Sequence, residues 1–472
     1  MVRSRILLLC ILFTIIKVMG VTAGYIDGQI VVDPDHPEWL KYHNGGPFFM
    51  CGPGDPEGFL YRGTRLPDGT RNGDQMDLID KLKGTGANCI YLMVVRSHGG
   101  DGDNTQNPFV DSDPSNALDQ DILNQWETWF TAMDNNDIVI YFFFYDDSAR
   151  IWNTGDSVGP EEIAFIQGLV NRFEHHKHLI WCVAEEYSEA YSPRRVSNIA
   201  AELRAADDYE HVIAVHQHSG LVFDFTDDAN IDQFAIQYNN TSISGLHSGM
   251  VTAWNNAAGR YNLNMSESLD HGYGDEETIR RKNWACAMGG AYVMILRMDI
   301  ASTPMSQLED CGRLVEFFES TNFNEMSPHD ELRYGSTQYV LAKPGDSYIA
   351  YASSPSRMGI GLKNVGDGIY DFRWFDCVDG DSVEQIGISV TAGNWTWFKP
   401  PQIGNELAVY IKKAEPSDLN ADGQVDFHDL AKFTAFWLWI GPAGDIPEDI
   451  IGDGIVDFAD FAALSHRWLC EN

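Results

Sequence analysis

Residues 178–191 read HLIWCVAEEYSEAY, an unbroken apolar run from Leu179 to Ala184 that stops at two adjacent carboxylates, Glu185 and Glu186. Unbroken rather than alternating apolarity is what a parallel strand covered on both faces requires. Seven further runs share the texture: 47–52 (PFFMCG), 88–95 (NCIYLMVV), 138–145 (IVIYFFFY), 211–218 (HVIAVHQH), 232–238 (DQFAIQY), 261–268 (YNLNMSES) and 290–296 (GAYVMIL). Between them lie amphipathic stretches such as 117–136 (ALDQDILNQWETWFTAMDNN) and 159–174 (GPEEIAFIQGLVNRFE). Eight strand-plus-helix units over about 280 residues predict an α/β fold, a (β/α)8 barrel over residues 24–330. An open doubly wound sheet is the competing reading, but no glycine-rich dinucleotide loop follows the first run.

The flanks of the barrel read differently. Arg3 and Arg5 precede the apolar ILLLCILFTII, and VTA offers small residues for cleavage after Ala23, so residues 1–23 read as a secretory signal peptide. The mature chain is then expected outside the cell, secreted or attached at its surface. No later stretch approaches the roughly 20 apolar residues of a membrane span. The formal charge is −37, and loss of Arg3, Arg5 and Lys17 makes the mature chain more acidic still. Such a chain repels nucleic acid and anionic lipid. The cysteines have no zinc spacing, and those at 51, 89 and 182 fall in strand-like runs, so they read as small buried hydrophobes.

Past residue 330, short alternating strands separated by Gly, Asp and Pro turns predict a β-sandwich over 331–412. The last segment, 413–472, carries a calcium-loop pattern twice. In DLNADGQVDFHDL, oxygen donors fall at loop positions 1, 3 and 5 (Asp418, Asn420, Asp422), Gly423 supplies the turn, Gln424 offers its carbonyl, and Asp426 and Asp429 complete the loop. The second copy has Asp449, Asp453, the carbonyl of Ile455, Asp457 and Asp460, with Ile451 unable to ligate at position 3. Each loop leads into a helix ending in Trp-Leu. This duplicated loop-plus-helix resembles a type I dockerin over 417–470. The resemblance implies bound Ca2+ and a cohesin or cell-surface scaffold as partner.

Barrel enzymes keep their chemistry at the C-terminal ends of the strands. The fourth run ends in Glu185-Glu186-Tyr187 and the seventh in Ser266-Glu267-Ser268. Carboxylates facing each other across a barrel mouth suit retaining glycoside hydrolysis, which needs a proton donor and a nucleophile about 5–5.5 Å apart. Side chains alternate along a strand, so only one of the doublet is expected to face the substrate. The placement resembles the clan A glycoside hydrolases, with an acid/base after strand four and a nucleophile after strand seven. WCVAEEY (181–187) and MSESLDHGY (265–273) are similar to a group of secreted barrel proteins with a W-N-L-G-E-E-N segment and a collagen-binding-type β-sandwich. The stretches 46–59, 123–138 and 341–348 fit the same group. The resemblance implies Glu186 as acid/base, Glu267 as nucleophile and Glu185 in the place of an asparagine that contacts the sugar.

Other rim candidates follow by position: Asp55 and Glu57 after strand one, Arg96 and His98 after strand two, and Tyr145, Asp146 and Asp147 at strand three. His216 and His218 end strand five, Gln237 and Tyr238 strand six, and His271 and Tyr273 follow Glu267. Tyr238 or Arg96 is expected to hold the nucleophile ionised, and Trp152, Tyr187 and Tyr191 are candidates for stacking on sugar faces. The histidines of FEHHKH (173–178) precede strand four, so they belong to the opposite face and read as a solvated loop. The function expected is a glycosidase acting on an extracellular poly- or oligosaccharide, with no cofactor for catalysis. The competing reading is a barrel that binds carbohydrate without turnover. Neither a zinc-protease helix motif nor a serine elbow supports a protease.

Overall fold

The computed structural model describes residues 24–53, 58–97, 105–268, 274–295, 299–415, 417–419, 425–444 and 446–468. Three short strands open the chain, β1 (Ile30–Val32), β2 (Leu40–Tyr42) and β3 (Pro47–Phe48), paired antiparallel. The barrel follows: β4 (Cys51–Pro53), α1 (Gln75–Leu82), β5 (Cys89–Val95), α2 (Gln120–Asp134), β6 (Val139–Tyr145), α3 (Pro160–Phe173), β7 (Leu179–Ala184), α4 (Pro193–Ala206) and β8 (Val212–Gln217). It continues through β9 (Gln233–Gln237), α5 (Ile243–Ala257), β10 (Asn262–Glu267), α6 (Glu276–Ala287), β11 (Tyr292–Ile295) and α7 (Met305–Glu319). The sheet order is β4-β11-β10-β9-β8-β7-β6-β5, and every adjacent pair is parallel. The seam between β4 and β5 is drawn together by Asn88, whose N–H reaches the Cys51 carbonyl at 3.0 Å and whose Oδ1 accepts the Cys51 N–H at 2.9 Å.

The sequence dictates this layering locally. In α3, Pro160 starts the helix, Glu161 and Glu162 sit at its positive end and Arg172 at its negative end. Phe165, Ile166, Leu169, Val170 and Phe173 fall on one stripe and are buried against the strands. Each such side chain contributes about 1.5–3 kcal/mol of burial. Asp119, Ser192 and Asp275 cap α2, α4 and α6 by accepting first-turn N–H groups. The barrel interior is filled rather than open: Tyr141 donates to Gln233 at 2.6 Å, and Gln233 donates to Asn262 at 2.5 Å.

Two expectations are corrected. The first apolar run is split, with Pro47–Phe48 pairing to β2 and only Cys51–Pro53 entering the barrel. Strand one passes so close to strand two that a Cβ on Gly52 would sit 2.9 Å from the Cys89 nitrogen. The connection from β8 to β9 forms turns and no helix. It is rich in Asp and anchors itself through buried Phe223 and Phe225 instead.

Beyond the barrel come β12 (Ser327–Pro328), β13 (Arg333–Gly335), β14 (Tyr339–Lys343), β15 (Ser347–Ala352), β16 (Ile360–Val365), β17 (Gly368–Asp376), β18 (Ser382–Val390), β19 (Gly393–Trp397) and β20 (Leu407–Lys413). They form antiparallel sheets of order β12-β14-β15-β20-β17-β18 and β13-β16-β19. In the larger sheet, Val340, Ala350, Trp374 and Val409 face the smaller one, while Leu341, Ile349, Tyr351 and Phe375 join the barrel core. Two helices, α8 (Phe427–Ala435) and α9 (Phe458–Trp468), end the described chain around a small core of Leu419, Val425, Phe433, Val456 and Leu464. The six described cysteines are buried and free. Among the described residues no helix is long and apolar enough to cross a membrane.

Candidate active site

The C-terminal strand ends bring together Arg96 (after β5), Asp146 (after β6), Glu185 and Glu186 (after β7), His216 and His218 (β8 and just past it), Gln237 (β9) and Glu267 (β10). Arg96 and Asp146 are buried and pair at 3.0 Å, and Asp146 also accepts the Ser97 N–H at 2.9 Å. Glu185 accepts the Tyr91 hydroxyl at 2.6 Å. Carboxylate oxygens of Glu185 and Glu267 and a ring nitrogen of His216 all lie within 4.8 Å of one another.

Glu186 stands at φ 35°, ψ 47°, in the left-handed region. A non-glycine residue there is strained, and such strain concentrates at functional sites. The reversal turns its carboxylate into the mouth, where it meets His218 Nδ1 at 2.6 Å and accepts from Gln237 Nε2. Alternation along the strand is thereby broken, so both glutamates of the doublet reach the mouth where the sequence pattern allowed one. Burial raises the Glu186 carboxyl above the ordinary range, and the His218 contact opposes that rise. The same contact raises His218, which is half exposed. Replacing His218 by Ala is therefore expected to move the Glu186 titration to still higher pH. In a pH profile of kcat/KM, the alkaline limb of a step needing protonated Glu186 would shift upward; a downward shift would contradict this.

The other rim candidates divide. Tyr187 is buried against Phe225 with its hydroxyl on Asp224, and Tyr191 is buried with its hydroxyl on the Ala149 carbonyl, so both are wall and neither offers an open face. Trp152 packs against Phe109 and Phe165. The Tyr238 hydroxyl meets Asn240 Nδ2 at 3.3 Å, and Tyr238 is tied to Glu267 through the main chain, its N–H donating to the Glu267 carbonyl at 2.8 Å. Among the described residues His216 is aimed at Glu267, with Nε2 3.8 Å from Oε2. Nothing in the sequence marked His216 out from His218. His98 and His271, with Asp55, Glu57 and Tyr273, lie outside the described residues, as do residues 1–23, read above as a signal peptide. The histidines of FEHHKH are on the opposite face, but His176 and His178 are buried and tied to Glu127 and Asp134 rather than solvated.

In the tail, Asn420, Asp422 and Gln424 also lie outside the described residues. The second loop is preorganised: Asp449 accepts the N–H groups of Gly444, Asp453 and Gly454, and Asp460 accepts those of Ile451 and Asp457. Oxygens of Asp449, Asp453 and Asp460 converge within 4.8 Å. In the first loop, Asp426 and Asp429 form a capping box at the start of α8, and Asp418 is half-buried beside it. An all-oxygen donor set of this kind fits a hard cation such as Ca2+.

No protein-family model matches the chain, and no curated protein matches it. Among solved structures, a glycoside hydrolase family 5 protein from Bacteroides vulgatus ATCC 8482 is similar with a TM-score of 0.61 at 14% identity, over 82% of this chain and 94% of that one. Another glycoside hydrolase is similar at 0.58 and 14% identity, over 82% and 97%. At that identity the likeness establishes the fold alone, an eight-stranded parallel α/β barrel.

Proposed function

We propose that the chain is a secreted retaining glycoside hydrolase acting on an extracellular poly- or oligosaccharide, with Glu186 as acid/base and Glu267 as nucleophile. The observation that carries this is the linkage of two strand-end glutamates through one ring: His216 Nδ1 takes the Glu186 N–H at 3.0 Å and its Nε2 lies 3.8 Å from Glu267 Oε2, with the Glu186 carboxyl raised by burial. In the first step the Glu267 carboxylate attacks the anomeric carbon and the glycosidic C–O bond breaks. Glu186 gives its proton to the departing oxygen, leaving a glycosyl ester on Glu267. In the second step Glu186 takes a proton from water, the hydroxide oxygen bonds to the anomeric carbon and the ester breaks. Glu185, adjoining Glu267 and bonded to Tyr91, is placed to bind the sugar beside the reacting carbon.

A second reading has a specific observation behind it. Glu185 stands where the resembled clan has asparagine, and it crowds a second carboxylate against Glu267; a barrel so altered would bind glycan without cleaving it. Release of reducing ends from a panel of plant and marine polysaccharides decides. Hydrolysis that disappears in both E186Q and E267Q supports the first reading, and tight binding with no hydrolysis across the panel supports the second.

The two-sheet unit, read as a β-sandwich accessory module, and the dockerin-like tail complete the proposal. The tail exposes Phe427 and Phe458, which follow the equivalent Asp426 and Asp457 in the two copies, together with Leu438 and Ile440. Paired apolar groups suit docking onto a cohesin-like partner. Chelation of Ca2+ with EGTA is expected to unfold α8 and α9 and change the emission of Trp437 and Trp439, with barrel stability unaltered. A tail indifferent to Ca2+ would remove this part of the proposal.

A further inference from the structure

His216 joins the two halves of the machinery proposed above. The imidazole is fully buried, with the Phe143 ring edge-on at 6.3 Å. Its Nδ1 accepts the Glu186 backbone N–H at 3.0 Å, so that nitrogen is the lone-pair end of the ring. Burial, helped by the charge of His218, pushes its pKa down to about 3, which leaves the ring neutral at ordinary pH. A neutral imidazole that accepts at Nδ1 carries its proton on Nε2. Among the described residues Nε2 has no hydrogen-bond partner, and it lies 3.8 Å from Glu267 Oε2. Catalytic hydrogen bonds often tighten from such distances in the Michaelis complex.

We propose that His216 is a positioning residue: a tautomer-locked ring whose Nε2–H aims and keeps ionised the Glu267 carboxylate, while its Nδ1 anchors the left-handed backbone of Glu186. One ring thus sets the spacing of donor and nucleophile. The inference rests on the reading of Glu186 and Glu267 given above. Among the described residues, Glu185, His218 and the Tyr91 hydroxyl act on Glu267, and the Cys182 thiol lies behind His216. Glu185, His216 and Glu267 also outline a cation site by distance alone. A metal on Nε2 would need the ring proton on Nδ1, pointing at the Glu186 N–H, and the hydrogen bond at 3.0 Å opposes that.

Two substitutions separate the two ends of the ring. H216N keeps an acceptor near the place of Nδ1 and loses the donor, whereas H216Q keeps a donor within reach of Glu267 and loses the acceptor. The full chain is labelled with 15N in the histidine rings and 13C at glutamate Cδ, with Glu267 assigned by its absence from E267Q. The wild type is expected to hold His216 as neutral Nε2–H across about pH 5–8. Glu267 should titrate at higher pH in H216N than in wild type, and close to wild type in H216Q. On a substrate found in the panel, H216N should lose about 10- to 100-fold in kcat with little change in KM, the worth of one hydrogen bond to a charged group, and H216Q much less. An Nδ1–H tautomer, protonation of His216 within that range, Zn2+ displacing the Nε2–H signal, or unchanged Glu267 titration in H216N overturns the inference. The wild-type tautomer decides even if a variant fails to fold. These spectra need no substrate, so their failure is distinct from failure of the hydrolase reading, which would appear as undiminished turnover in E267Q.

Discussion

Replacing Glu267 by Gln is expected to lower kcat/KM by at least about 10⁴-fold, because an amide cannot make the nucleophilic attack proposed for this carboxylate. Glutamine keeps the shape and the hydrogen-bonding reach of the side chain but cannot form the glycosyl ester. Replacing Glu186 by Gln should cost about 10²- to 10⁴-fold, the ordinary worth of a general acid. Its loss should be smaller for a substrate whose leaving group departs without protonation. That asymmetry separates the roles: a nucleophile variant stays inactive on activated aryl glycosides, and an acid variant recovers on them. E185Q belongs to the same experiment. Glu185, although it adjoins Glu267, has its carboxylate on the Tyr91 hydroxyl, so its replacement should affect KM more than kcat. If E185Q behaved as the acid variant and E186Q did not, the assignments within the doublet would have to be exchanged. Undiminished turnover in E267Q would remove the double-displacement mechanism altogether.

The strands of this barrel were legible because both of their faces are covered. Val139–Tyr145 and Leu179–Ala184 are buried at every position, and that burial is what their unbroken apolar sequence recorded. The carboxylates at their ends were legible for the converse reason, as charges that interrupt a buried run. What the sequence could not carry was backbone conformation. The alternation rule holds for extended chain, and it fails at Glu186 because the backbone there turns left-handed under the His216 contact. Side-chain partners across the barrel were equally hidden. Tyr238 lies next to Glu267 in the sheet, yet its hydroxyl turns to Asn240, and His216 from β8, two strands from Glu267, takes a position facing the carboxylate. The missing helix between β8 and β9 was foreshadowed by its Asp-rich composition, but a barrel count of eight units concealed it.

Replacing Glu406 by Ala is expected to destabilise the fold by about 3–5 kcal/mol, the usual cost of removing one partner from a buried ionic network. Glu406 precedes β20 and is 3% exposed. It accepts Arg280 Nη2 and Arg281 Nε, both from α6, at 3.0 Å, and the Tyr351 hydroxyl of β15 at 3.0 Å. Arg280 in turn reaches Asp310 of α7 at 3.3 Å. This carboxylate therefore ties α6 to the larger sheet, and through Arg280 the network extends to α7, beside the stacked pair Trp284 and Tyr351 at 5.2 Å. Its removal leaves two guanidiniums at a buried junction with Asp310 as the remaining buried anion there, a carboxyl that burial already pushes up to about 6. E406Q, which preserves volume and most hydrogen bonds, should cost less than E406A, and the double variant E406A/R280M should recover part of the loss because the stranded charge goes with its partner. Denaturant midpoints of the three variants test this. If E406A unfolds at the wild-type midpoint, the junction is held by its apolar contacts alone and the ion network contributes specificity without strength.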